Sequence, residues 1–109
     1  MKASDRIKDP EAVILPPDHV LLEVFLRKTP VVLISKQDEQ ETIDYIRIVK
    51  INPKEECVYE VGDIVLDIDN FMTVRWETNG RFFIKMPINN IKLAVKKENF
   101  IIDSDLIIN

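Results

Sequence analysis

The chain has 109 residues, a formal net charge of −4 and a pI near 5.0. That length is one domain. The acidic balance, with Lys and Arg scattered among acids, argues against a nucleic-acid partner, and no apolar run approaches the roughly 20 residues of a membrane span.

Cys57 is the single cysteine, which excludes an intramolecular disulfide and fits a reducing compartment. Residues 1 to 6 lack the apolar core of a signal peptide. The expected location is the cytoplasm.

In chain order, residues 1–12 are polar, broken by Pro10, and read as a flexible N-terminal arm. Val13-Ile14-Leu15 is apolar but precedes Pro16-Pro17, which rules out a continuing helix. It reads as a short strand, either tucked onto its own domain or swapped to a neighbour. His19 to Leu26 reads as a strand with apolar groups on both faces, covered on both sides over part of its length. Thr29-Pro30 breaks it, Val31 to Ile34 is an aliphatic run, and Ser35 to Thr42 is a solvated acidic loop.

Ile43 to Ile51 alternates as a strand, with Ile43, Tyr45, Arg47, Val49 and Ile51 on one face. A turn follows at Asn52-Pro53-Lys54-Glu55-Glu56. Gly62, one of two glycines, stands where a turn hands over to a strand and positive φ is needed. Asp63 is placed to fix that turn through its carboxylate. Ile64, Val65 and Leu66 then read as a buried strand.

Met72 to Thr78 and Arg81 to Met86 form a hairpin across Asn79-Gly80, because a type I′ turn requires two residues with positive φ. A two-residue loop sets Trp76 opposite Phe83. Ile88 to Asn90 is a further turn, Ile91 to Val95 the last strand, and residues 97–109 a C-terminal extension with an apolar tail.

The order of these segments resembles the GroES-like co-chaperonin family, the lid subunits of the chaperonin folding chamber. Pro17-Asp18-His19-Val20-Leu21-Leu22-Glu23 comes first, then Pro30-Val31-Val32-Leu33 and Tyr45-Ile46-Arg47-Ile48-Val49. After these come Val61-Gly62-Asp63-Ile64-Val65 and Asn90-Ile91-Lys92-Leu93-Ala94-Val95. The likeness covers roughly residues 16 to 96. Thr29-Pro30 replaces the family's Gly-Gly, and Ile51-Asn52-Pro53 replaces its second glycine pair.

The resemblance implies an all-β fold, a small GroES-like antiparallel β-barrel over residues 13–96 with terminal extensions, and a mobile loop within residues 24–42. It implies that Val31, Val32 and Leu33 dock into a GroEL-like chaperonin's apical domains, weakly per copy and strongly through a ring of copies. The ring is a homo-oligomer, by family analogy a heptamer, with strand contacts through Val20, Leu22, Ile91, Leu93 and Val95. The divergence suggests a viral or phage version acting in the host cytoplasm. The rival expectation is a virion structural or assembly protein built on the same barrel.

An enzyme is not expected. Asp18 and His19 are neighbours in a strand and point to opposite faces. One His and one Cys do not make a zinc site. Asp63, Asp67 and Asp69 lack calcium-loop spacing. With only Gly62 and Gly80 there is no phosphate-binding loop. No cofactor is expected. Trp76, Phe82 and Phe83 could stack single-stranded nucleic acid, but the negative charge favours packing.

Overall fold

The computed structural model describes residues 3–30, 39–69 and 74–102. Six strands are present among them: β1 His19–Pro30, β2 Glu39–Asn52, β3 Ile64–Ile68, β4 Val74–Thr78, β5 Arg81–Pro87 and β6 Ile91–Val95. All pair antiparallel in one sheet of order β4-β5-β1-β2-β3-β6. The helical elements among the described residues are short 3₁₀ turns, as at Ala3–Arg6 and Pro10–Ala12.

The expected all-β architecture is therefore present, but barrel closure is not found: no ladder joins β4 to β6 among the described residues. The sheet is nevertheless strongly curved. Strands β5 and β6 lie four positions apart, roughly 19 Å in a flat sheet. The 3₁₀ turn Ile88–Asn90 joins them, and the four steps from Pro87 to Ile91 reach at most about 14 Å. Only a sheet that bends back on itself satisfies both.

Each face carries its own core. The concave side buries Val20, Leu22, Ile48, Val65, Ile84, Met86, Ile88 and Ile91 together, with Cys57 and Tyr59 packed against them. On the convex side Leu21, Val49 and Phe83 are covered by Leu15 of the N-terminal segment. That segment, expected over Val13 to Leu15 as a short strand, is fastened across the sheet. Lys50 Nζ donates to the carbonyls of Glu11 (3.0 Å) and Val13 (2.7 Å), and Asn52 Nδ2 to that of Leu15 (2.7 Å). Pro16 and Pro17 offer no N–H to a ladder, so side chains meet the carbonyls instead. Val13 to Leu15 is thus not a strand, and the arm lies tucked on its own chain.

The β2 alternation is also corrected. Between Leu21 and Leu22 the partner on β2 jumps from Lys50 to Ile48, and between Phe25 and Leu26 it jumps from Tyr45 to Ile43. Each jump is a bulge, which leaves one residue unpaired and bends the strand. The first puts Ile51 on the concave side with Ile46 and Ile48, where strict alternation would set it with Val49. A further irregularity at Leu66 in β3 leaves that residue exposed rather than buried, while Ile64 and Val65 are interior.

Two local expectations hold in detail. Asn79 (φ 51°) and Gly80 (φ 79°) form the β4–β5 turn, and Trp76 pairs with Phe83, their rings stacked at 5.6 Å. Gly62 (φ 98°) stands in the turn before β3, where the Asp63 carboxylate accepts from the Glu60 N–H (3.0 Å).

Candidate functional site

Strand β1 pairs with β5 only from His19 to Val24, and β2 with β3 only at Ile46 and Arg47. Beyond those points β1 and β2 pair with each other alone, from Phe25 with Tyr45 to Pro30 with Glu39. Six residues of strand make a two-stranded ribbon about 20 Å long. At its base Phe25 stacks on Tyr45 (4.5 Å), Arg47 lies over the Phe25 ring (5.2 Å), and Phe100 meets Tyr45 (5.7 Å). Burial here holds the Tyr45 phenol above its ordinary pKa, against the neighbouring Arg47 charge.

Val31, Val32 and Leu33, the expected docking residues, lie outside the described residues. In sequence they follow the last residue of β1. Of the expected loop 24–42, residues 24–30 and 39–42 are ladder, and the rest lies outside the described residues. Backbone pairing offsets the Thr29-Pro30 break: the Pro lies at the strand end, the position a ladder tolerates.

The expected interface residues separate into two groups. Val20 and Leu22 are 0% exposed and Ile91 is 4% exposed, all in the concave core. Strand β1 has neighbours on both sides over His19–Val24, so that stretch offers no free edge to another subunit. Leu93 is 55% exposed on β6, beside Leu66 at 52% on the neighbouring strand, and Val95 is half-buried. The sheet ends are β4 and β6. The turn Ala3–Arg6 lies against β4.

Next to the concave core is an apolar groove of about 450 Å³, lined by Val24, Leu26, Ile43, Ile46, Phe82 and Ile84 among others. Arg75 is the only charged residue of its described lining. Arg75 pairs across the strands with Ile84, which places its side chain on the concave face. No single residue or motif of the sequence marks this groove. Its signal was the second apolar face of β1, Val20, Leu22, Val24 and Leu26, longer than the core it helps to fill.

Charged groups gather elsewhere. Glu23, buried on β1, accepts a two-pronged contact from Arg81, Nε at 2.9 Å and Nη2 at 2.8 Å, with Arg47 at 3.6 Å. Arg81 also meets Glu11 (3.6 Å) and lies over Phe83 (5.0 Å). The Glu23 hydrogen bond holds Arg81 above its already high pKa. Lys96 contacts Asp63 (3.2 Å) and Glu60 (3.6 Å), and its pKa is raised chiefly by the Asp63 hydrogen bond. These clusters fasten strands and turns.

His19 Nδ1 lies 2.9 Å from the Pro17 carbonyl oxygen. Among the described residues no group of three or more His, Cys, Asp or Glu could hold a metal ion. Comparison with protein-family models, with curated proteins and with solved structures finds no match.

Proposed function

We propose that the chain is a lid-type co-chaperonin of the GroES-like kind, which docks on a GroEL-like chaperonin through Val31-Val32-Leu33 and assists protein folding. The observation that supports this reading is the ribbon of β1 and β2. Its ends, Pro30 and Glu39, lie past the points where β5 and β3 stop pairing, and Val31-Val32-Leu33 follow Pro30 in sequence. An aliphatic tripeptide presented there can reach a groove on another protein without dismantling either core. Weak docking per copy is then multiplied by a ring of copies. The site of action is the cytoplasm, the host's if the protein is viral.

The test is capture of the full chain by a GroEL-like chaperonin with nucleotide present. Wild type should be retained. A Val32→Ser, Leu33→Ser double variant should be lost while its β-sheet circular dichroism persists. Retention of the folded double variant, or its failure to fold, would remove the docking residues from this role.

One observation favours a second reading, a virion structural or assembly protein. Residues 24–30 and 39–42 form a ladder, where a lid's docking loop would be free. Under that reading the chaperonin captures neither protein, and the native chain co-sediments with assembled particles.

A further inference from the structure

The groove on the concave face is not used by the docking reading. Its walls come from five strands: Val24 and Leu26 of β1, Ile43 and Ile46 of β2, Ile68 of β3, Phe82 and Ile84 of β5, with Arg75 of β4 at one side. Its volume of about 450 Å³ lies within the range of small-molecule pockets, which recur in the mouths of β-barrels. Leaving such a surface to water is unfavourable, so an apolar body belongs in it.

The polar chemistry of the lining has one sign. No carboxylate belongs to the described lining. Arg75 makes no hydrogen bond or ion pair among the described residues, unlike Arg47 and Arg81, which share Glu23. Trp76 also borders the groove, but its ring faces the convex core, stacked on Phe83. The Arg75 guanidinium donates and does not accept. A ligand matched to this site has a long apolar body and an anionic acceptor head.

We propose that the groove binds a long-chain carboxylate, its alkyl chain lying along Val24, Ile46, Phe82 and Ile84 and its head group paired with Arg75. A planar guanidinium meets a carboxylate through two parallel hydrogen bonds. This site is independent of chaperonin docking.

Trp76 is the only tryptophan and lines the groove, so its fluorescence reports occupancy. Dodecanoate and dodecanol, both below their micelle or solubility limits, are titrated into the full chain, with calorimetry for stoichiometry. Dodecanoate should bind saturably, one per chain. Arg75→Gln should weaken dodecanoate about tenfold, a change of about 1.4 kcal/mol, and leave dodecanol unchanged. Phe82→Ser, at a half-buried position, should weaken both. Three results would overturn the proposal: no saturable binding to wild type, equal loss of both ligands in Arg75→Gln, or a Phe82→Ser variant that stays folded and binds both as before.

Discussion

Glu23 is 5% exposed and faces two guanidinium groups, whereas the Arg81 side chain is about one-third exposed. The two partners therefore respond differently to removal. Arg81→Ala strands a buried carboxylate, and losing a charged hydrogen-bond partner of that kind costs about 3 kcal/mol. Glu23→Gln keeps one acceptor for the fork and leaves Arg81 able to reach water, at about 1 kcal/mol. Urea unfolding should rank the variants in that order. Lys96 gives a pH-dependent test. Its folded pKa is raised by the Asp63 hydrogen bond, so its contribution is whole below the unfolded value of about 10.4 and fades as pH rises through the folded value. The stability gap between wild type and Lys96→Gln should stay level from neutral pH to about 9 and narrow above about 10.5. Tyr45, also raised, loses its share in the same alkaline direction in both proteins.

Among the elements, the β4–β5 hairpin depends on its turn. Gly80 has φ 79° and open space where a Cβ would stand, so Gly80→Ala meets only backbone strain, about 1 kcal/mol. Asn79→Gly should be tolerated, since the turn type accepts either residue. Thermal melts of the two variants check this difference. The bulges of β2 work at the same scale. They break its alternation, set Ile51 on the same side as Ile46 and Ile48, and supply part of the bend that the short β5–β6 link requires.

For the whole molecule, the open sheet decides where another copy can attach. Strand β1 is interior over His19–Val24 and β6 is an end. An end strand presents unpaired N–H and C=O groups that favour association unless managed, and Leu93 and Leu66 are exposed beside it. A ring assembled through this edge predicts opposite fates for two charge insertions. Leu93→Asp should fold and sediment as smaller species than the wild-type ring. Val20→Asp should not fold, because an unpaired charge in the concave core costs several kcal/mol. Sedimentation velocity beside circular dichroism separates the outcomes. A wild-type chain that stays monomeric at high micromolar concentration would defeat ring assembly.

Features that depend on a few neighbouring residues are legible in the chain alone. Positive φ at Asn79-Gly80 and Gly62 forced two turns, and alternation after them set the facing of Trp76 and Phe83. Local chemistry of this kind does not depend on the rest of the chain, so it is legible residue by residue. The tertiary structure alone decided what depends on distant partners. The Pro-rich segment lost its expected strand because Lys50 and Asn52, far away in sequence, satisfy its carbonyls. Val20 and Leu22, expected at an interface, became core because β5 and β2 flank β1 and the curved sheet closes over its inner face. The groove likewise exists only because five strands bend around one space, and no single stretch of sequence carries that curvature.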